Sequence, residues 1–159
     1  MVKDLILKNR SYRRFYQDEP VSTETLRELI DLARLSPSAA NLQPLVFMVS
    51  NEYVRNEMIF KNLTWAGYLK QWNGPCEGEK PSAYIIILGD TSVSKSFSVN
   101  HGIAAQSILI GATELGLGGC MLGAINRDHL RKDLSINDQF EVLLVIALGK
   151  PRETVILEE

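Results

Sequence analysis

Cysteine and histidine are scarce in this chain, which has two of each among its 159 residues. Cys76 and Cys120 lie in unlike contexts, so the sequence offers neither a dense disulfide framework nor a spacing typical of metal ligands. Free thiols are usual in a reducing compartment, and we therefore expect a cytoplasmic protein. His101 and His129 are too few for a metal set or a catalytic triad.

Long apolar runs and a strong net charge are also missing. The longest apolar runs, such as residues 83–88, are far too short to cross a bilayer, and residues 1–8 lack the apolar length of a signal peptide. Seventeen basic and nineteen acidic residues leave a formal charge of -2. This balance argues against nucleic acid or a membrane surface as the main partner, so any anion is bound locally.

The composition fits one compact domain over residues 1–159. Hydrophobic residues make up 45% of the chain, which suffices for a buried core at this length. The sequence contains no internal repeat, low-complexity tract or evident linker. We therefore expect all helices and strands to share one core built around a sheet.

Hydrophobic periodicity predicts five helices and four strands. The helices are expected at residues 1–8, 22–34, 52–63, 99–115 and 128–134, and the strands at residues 45–50, 83–88, 120–123 and 140–149. The strand at 83–88 is apolar on both faces and should form the sheet centre. The helix at 99–115 is apolar almost all around, which indicates burial in the core or at a subunit interface. The pattern leaves both α+β and α/β folds open.

Polar and glycine-rich residues concentrate in three irregular segments, at residues 10–14, 37–43 and 116–124. The first carries three arginines and a serine, and guanidinium groups match the geometry of a phosphate. On its residues alone it is either an anion site or a solvated face whose arginines pair with Asp18 and Glu19. The second is a structural turn by its own chemistry. The third is no dinucleotide-binding loop, because its glycines follow a helix and precede a strand.

Taken together and in this order, the three segments resemble the nitroreductase family of flavin mononucleotide (FMN) oxidoreductases. The family pattern Arg-Arg-Ser-x-Arg-x-Phe matches residues 9–15, which read Asn-Arg-Ser-Tyr-Arg-Arg-Phe. The pattern Pro-Ser-x-x-Asn-x-Gln-Pro-Trp matches residues 37–45, and Gly-Leu-Gly-x-Cys-x-x-Gly matches residues 116–123. Residues 147–151, Ala-Leu-Gly-Lys-Pro, are similar to the Leu-Gly-x-Pro ending of the family. The resemblance spans residues 5–153.

The resemblance implies an α+β fold of three layers, in which helices flank a central mixed, mainly antiparallel sheet of about four strands. It implies a homodimer with an FMN site at each subunit interface. NADH or NADPH would pass a hydride to flavin N5, and a small acceptor of the nitroaromatic or quinone type would then take it in a ping-pong mechanism. Because the flavin carries the chemistry, neither a catalytic side chain nor a metal is expected.

The resemblance also assigns roles to individual residues. Arg10 and Ser11 are implied to hold the FMN phosphate. Arg13 is implied to reach the pyrimidine edge of the isoalloxazine, where a cation stabilises the reduced flavin. The remaining assignments are Pro37, Ser38 and Ala39 along the ring, the amides of Asn41 and Gln43 on ribityl or ring atoms, and the backbone of Leu122 and Gly123 near N5. Arg14 matches no required position.

The match departs from the family pattern at three places. Asn9 stands where the family has its first arginine, and Leu45 stands where the family has tryptophan. These changes weaken the phosphate site and the aromatic packing of the loop, respectively. Family members usually carry a C-terminal extension that wraps the other subunit and can add basic residues to the phosphate site. Either Arg152 is the substitute for that basic group, or the extension lies outside the given sequence.

Some residues outside the motifs keep two interpretations. Trp65, Tyr68 and Trp72 either cover an acceptor pocket over the flavin or pack in the core or at an interface. His101 is expected to be structural, and Cys120 to be a buried and inert thiol. For the function itself, one alternative is an FMN-binding protein for storage or sensing that does not turn over. Another is a family variant that performs reductive dehalogenation or flavin fragmentation.

Overall fold

The computed structural model describes residues 1–158 and shows helices and strands alternating around one sheet. The helices are α1 (Val2–Lys8), α2 (Thr23–Arg34), α3 (Tyr53–Phe60), α4 (Asn100–Glu114) and α5 (Arg127–Asp133). The strands are β1 (Phe15–Tyr16), β2 (Leu45–Ser50), β3 (Ala83–Asp90), β4 (Gly118–Leu122) and β5 (Phe140–Pro151). A short 3-10 turn covers Ala39–Asn41.

The five strands form one sheet in which β5 has the most neighbours. β3 pairs with β2 and β5, which confirms the prediction that residues 83–88 form the sheet centre. β5 pairs with β3 through residues 140–148, with β4 through 145–149 and with β1 through 150–151. These strand pairings are all antiparallel, and the described chain has one isolated parallel bridge, between Ser11 and Gly119. The strand missing from the prediction is β1, which is too short to show a periodic pattern.

Alternate residues of β3 face two different cores, so the sheet is the middle of three layers. Residues 83, 85 and 87 pack with α2 and α4 on one face. Residues 84, 86 and 88 pack on the other face, on the side of α3 and α5. Fully buried helix residues include Leu29 and Ile108 on the first face and Ile59 and Leu130 on the second. Burying each such side chain contributes about 1.5–3 kcal/mol. The expected α+β fold with three layers is therefore confirmed.

Helix boundaries follow from local chemistry. Ser22 caps α2, since its Oγ accepts a hydrogen bond from the backbone N–H of Thr25 at 3.0 Å. α3 ends at Phe60, earlier than the predicted residue 63. The reason lies in Asn62, whose side-chain amide donates to the carbonyl of Met58 at 2.8 Å and to Asp133 at 2.8 Å. Such side-chain bonds compete with the helical backbone.

β4 begins at Gly118, two residues before the predicted start of that strand. A Cβ at Gly118 would lie 2.5 Å from the ring of Tyr12, and one at Gly119 would lie 2.6 Å from the carbonyl oxygen of Ala147. These glycines therefore permit close packing rather than a loop. The same close approach brings the arginine-containing segment against the sheet.

Candidate functional site

The segment of residues 9–14, which links α1 to β1, lies along the start of β4. Ser11 forms the parallel bridge with Gly119, and the backbone N–H of Tyr12 donates to the carbonyl of Gly119 at 3.0 Å. The Tyr12 hydroxyl donates to the carbonyl of Lys8 at 3.0 Å. Two of the three segments singled out in the sequence are therefore neighbours in the fold. We call residues 9–14 the arginine segment.

A cavity of about 410 Å³ opens beside the arginine segment, and we call it the arginine cavity. Its lining includes Asn9, Arg10, Ser11, Arg13, Met121 and Glu153. Arg10 is half-buried, and one Nη donates to the carbonyl of Ile6 at 2.5 Å. Its Nε is buried and has no hydrogen-bond partner in residues 1–158. A buried charged donor without an acceptor is costly, and an anion in the cavity would supply that acceptor.

Glu153 is a site residue that the sequence did not reveal. Its carboxylate accepts hydrogen bonds from the backbone N–H groups of Arg13 and Arg14, the latter at 3.1 Å. Its position follows from the pairing of β5 with β1, and β1 itself was not predicted. Arg152, the candidate for an added phosphate ligand, lies elsewhere. It donates to the carbonyl of Gly78 at 3.4 Å and stands 5.8 Å from the ring centroid of Tyr16.

The arginines agree only in part with the alternative that they are solvated and pair with nearby acidic residues. Arg14 pairs with Glu79 at 3.4 Å and lies 5.5 Å from the ring centroid of Trp72. Within the described chain, neither Asp18 nor Glu19 forms an ion pair with the arginine segment. Arg10 and Arg13 likewise form no ion pair there. These two cations remain available to a ligand.

The second segment, residues 37–43, has an unusual backbone. Ala40, Asn41 and Gln43 have φ values of 50°, 53° and 51°, in the left-handed region that side chains disfavour. Ser38 Oγ accepts from the backbone N–H of Gln43 at 3.0 Å, and the Gln43 amide donates to Asn41 at 2.9 Å. The N–H of Ala39 donates to Asn100 of α4 at 2.8 Å. The amides of Asn41 and Gln43 are thus held together on an exposed loop.

This loop borders a cavity of about 260 Å³, the loop cavity, against α2 and α4. Its lining includes Ile30, Pro37, Ser38, Gln43, Asn100 and Ala104. None of these residues lines the arginine cavity. α4 contributes to both, through Asn100 and Ala104 to one and through Gln106 and Leu109 to the other. Within one chain the predicted residues therefore form two separate groups.

The two residues predicted near flavin N5 lie at the end of β4. Leu122 is buried in the core on the side of α3 and α5. Gly123 is exposed, and a Cβ built there would meet nothing within 4 Å. Neither residue lines the arginine cavity or the loop cavity. The carbonyl of Gly123 accepts a hydrogen bond from the guanidinium of Arg127 at 3.4 Å.

Comparison with known proteins decides the family. The nitroreductase family model matches residues 6–73 and 81–150. The chain belongs to the nitroreductase family. A relative from Archaeoglobus fulgidus named "Putative NADH dehydrogenase/NAD(P)H nitroreductase" is 31% identical, over 94% of this chain and 84% of that protein. A protein of the same name from Methanothermobacter thermautotrophicus is 34% identical, over 92% of this chain and 76% of that protein.

The fold agrees with a solved member of the nitroreductase family. The structure of an FMN-dependent nitroreductase from Clostridium difficile superposes with a TM-score of 0.80 at 23% identity. The match covers 98% of this chain and 90% of that one. Together these similarities confirm the predicted fold class and the predicted enzyme class, an oxidoreductase of the nitroreductase family.

A third and larger cavity of about 630 Å³, the outer cavity, adjoins the arginine segment of this nitroreductase. Its lining includes Arg13, Arg14, Tyr68, Lys70, Trp72 and Glu153. The guanidinium of Arg13 lies 5.7 Å from the ring centroid of Tyr68, within the range of cation–π attraction. Residues 65–72 contain no helix and form a loop.

The three aromatic residues of that stretch differ in their surroundings. Trp65 is 4% exposed and packs 5.8 Å from the ring of Phe60, in the core. Tyr68 and Trp72 instead line the outer cavity. The sequence signal for both roles is the same, because an aromatic ring suits a core and a binding cleft equally.

The remaining reactive groups agree with structural roles. Burial raises the pKa of the Cys120 thiol, and the positive charge of Arg13 opposes this shift in part. A raised pKa keeps the thiol protonated and inert. Residues 1–158 contain no cluster of histidine, cysteine, aspartate or glutamate that could hold a metal ion. No helix in the same range has the length and apolar character needed to span a membrane.

Proposed function

We propose that this nitroreductase is an FMN-dependent homodimer that moves hydride from NADH or NADPH to a small nitroaromatic or quinone acceptor. The observation that carries the proposal is the buried, unpartnered Nε of Arg10, a residue that lines a cavity together with Ser11 and Arg13. Family membership and the names of the relatives support the same activity.

The arginine cavity fits a phosphate. Arg10 offers Nε and its remaining guanidinium donors, and Ser11 offers an exposed hydroxyl. Charge-assisted hydrogen bonds of this kind contribute about 1.5–3 kcal/mol each when partly desolvated. Glu153 lines the same cavity, and its Oε1 accepts two backbone N–H bonds, which lessen but do not cancel its repulsion of a phosphate. The side-chain donors among the lining residues are those of Arg10, Ser11 and Arg13, together with the amides of Asn9 and Gln106.

The other assigned residues orient the ring. FMN, when bound, takes up a hydride and releases it at N5. Arg13 places a guanidinium beside the arginine cavity, where its charge stabilises negative charge on the pyrimidine edge. Gly123 leaves open space, because no side chain obstructs approach at that position. No side chain of the chain is required to act as an acid or base.

We propose that a second copy of the chain completes each site. The arginine cavity and the loop cavity share no lining residue within one chain. The loop of residues 37–43 nevertheless presents exposed amides from Asn41 and Gln43 in a fixed arrangement. In a dimer the loop of one subunit would meet the arginine segment of the other. Pro37, Ser38 and Ala39 would then line the flavin ring.

FMN binding tests the proposal directly. The purified protein should become yellow with added FMN and retain the flavin through equilibrium dialysis. Arg10→Ala should weaken FMN affinity by about 10- to 100-fold, the loss of one or two charge-assisted hydrogen bonds. Arg27→Ala, on the exposed side of α2, is the matched control and should leave the affinity unchanged. Equal affinity in both variants would contradict the phosphate assignment.

Steady-state kinetics separate an enzyme from a flavin carrier. The FMN-loaded protein should oxidise NADH or NADPH in the presence of a nitro compound or a quinone, with parallel lines in a double-reciprocal plot. A protein that binds FMN but consumes no reductant is a storage or sensing protein. A colourless protein that does not bind FMN contradicts both functions.

A further inference from the structure

The outer cavity has the size and position of a substrate site. Its volume of about 630 Å³ falls within the range of about 300–1,000 Å³ usual for small-molecule sites. It shares Arg13 and Glu153 with the arginine cavity, so the two cavities lie side by side. A ligand in the outer cavity would therefore be next to the proposed flavin.

The outer cavity carries an excess of positive charge that the flavin does not use. Arg14 matches no position that the family motif requires, yet it lines this cavity together with Lys70. Lys70 forms no ion pair with any residue in 1–158. Arg14 is only partly neutralised. A carboxylate oxygen of Glu79 lies 3.4 Å from the Arg14 Nε, and about half of the Arg14 side chain is open to solvent. Glu153 adds one negative charge to the lining, with its Oε1 accepting from two backbone N–H groups, so the three lining cations Arg13, Arg14 and Lys70 outnumber it.

Two aromatic rings line the same cavity. Tyr68 is 71% exposed with the guanidinium of Arg13 over one face of its ring, and Trp72 is half-buried with the guanidinium of Arg14 over one face. Aromatic side chains stack on flat rings, and the adjoining cations attract negative charge. A planar aromatic molecule with an anionic substituent satisfies both features at once. A neutral ring would use only the aromatic faces.

We propose that the outer cavity is the subsite for an anionic aromatic acceptor, a nitroarene or quinone that carries a carboxylate or sulfonate group. The ring lies against Tyr68 and Trp72, and the anionic group lies between Arg14 and Lys70. The assignment of this ligand as an acceptor rests on the proposed function, because only a bound flavin can reduce it. The binding itself depends on the cavity alone.

The test compares two ligands of nearly equal shape. Isothermal titration calorimetry on the FMN-loaded protein should show 4-nitrobenzoate binding about tenfold more tightly than the neutral 4-nitrobenzamide at low salt. Arg14→Gln and Lys70→Gln should each weaken binding of the acid about two- to fivefold and leave binding of the amide unchanged. Arg14→Lys should keep most of the preference. Lys95→Gln, on an exposed loop that lines none of these cavities, is the control and should change neither ligand.

A stacking variant separates ring contact from charge. Tyr68→Ala should weaken both ligands by similar factors, because both carry the same ring. Equal affinity of the wild-type protein for the acid and the amide would overturn the proposal. The proposal would also be overturned if Arg14→Gln and Lys70→Gln bound both ligands as the control variant does.

The outcome is distinguishable from failure of the proposed function. Turnover of NADH or NADPH with equal kcat/KM for the two nitro compounds, and equal binding, would refute the subsite and leave the oxidoreductase activity intact. Selective binding of the acid by a protein without turnover would refute the proposed function and support the anionic aromatic site. The calorimetric readout does not depend on activity.

Discussion

The arginine segment and the loop of residues 37–43 are held in place by different means. The arginine segment is fixed by distant parts of the chain, because Gly119 pairs with Ser11 and Glu153 accepts from Arg13 and Arg14. The loop is fixed mostly by itself, through the bond from the Gln43 N–H to Ser38 and the bond between the side chains of Gln43 and Asn41.

The fold of a single chain fixes the arginine segment, whereas it gives the loop of residues 37–43 little support. The arginine segment takes its shape from the sheet and exists in a single chain. The loop carries three left-handed residues, of which Ala40 and Gln43 cost about 1–2 kcal/mol each and Asn41 costs less, and the loop buries little surface in return. Such strain is retained where a function needs that conformation. For this loop, the proposed function is to complete the site of the second copy of the chain in the dimer.

The largest effect should come from filling the space between β4 and its neighbours. Gly119→Ala would place a Cβ 2.6 Å from the carbonyl oxygen of Ala147, which is backbone and cannot move aside. We expect a loss of about 3 kcal/mol in the free energy of unfolding, measured by urea denaturation, because overpacking strains the sheet. FMN affinity should fall as well, since Gly119 positions Ser11.

Gly123→Ala is the matched control for that experiment. A Cβ at Gly123 meets nothing within 4 Å, so its free energy of unfolding should stay within about 0.5 kcal/mol of the wild type. If the protein tolerates both substitutions equally, β4 is not packed against β5 as tightly as these contacts indicate.

An intermediate effect is expected at Glu153. Glu153→Ala removes the acceptor of two backbone N–H groups, which should cost about 1–2 kcal/mol in the free energy of unfolding. Amide hydrogen exchange at Arg13 and Arg14 should accelerate, while exchange in the loop of residues 37–43 stays the same. Glu158→Ala, an exposed carboxylate in the same terminal segment, is the control. Unchanged exchange at Arg13 and Arg14 would show that the sheet alone fixes the arginine segment.

The regular elements were predictable because their signals are local. A residue type that favours helix N-caps at Ser22 indicated the start of α2, and the apolar run of β3 indicated the sheet centre. The errors lie where distant contacts decide. β1 exists because β5 extends to Pro151 beside it, and β4 starts at Gly118 because Tyr12 packs against that glycine. No local pattern contains this information.

The candidate site shows the same division. The three motifs pointed to the residues, because a family resemblance preserves residue type and order. They did not reveal that Glu153 contacts the arginine segment or that Arg152 lies at Gly78. They also did not place Tyr68 and Trp72 at a cavity and Trp65 in the core, because that choice depends on which face of a loop packs inward.

The smallest effect should come from the backbone of the loop. Ala40 has a φ of 50°, so Ala40→Gly relieves left-handed strain of about 1–2 kcal/mol but gives the unfolded chain more freedom, which costs about 0.4–1 kcal/mol. The net expectation is a gain of about 0.5 kcal/mol in the free energy of unfolding, read from urea denaturation. Ala39, whose φ is not positive, has no such strain to relieve, and Ala39→Gly should lose about 0.5–1 kcal/mol. A gain in the free energy of unfolding for Ala40→Gly and a loss for Ala39→Gly would show that the loop is strained in the chain without a partner. A loss at both positions would mean that the loop is relaxed and that its shape requires no compensating function.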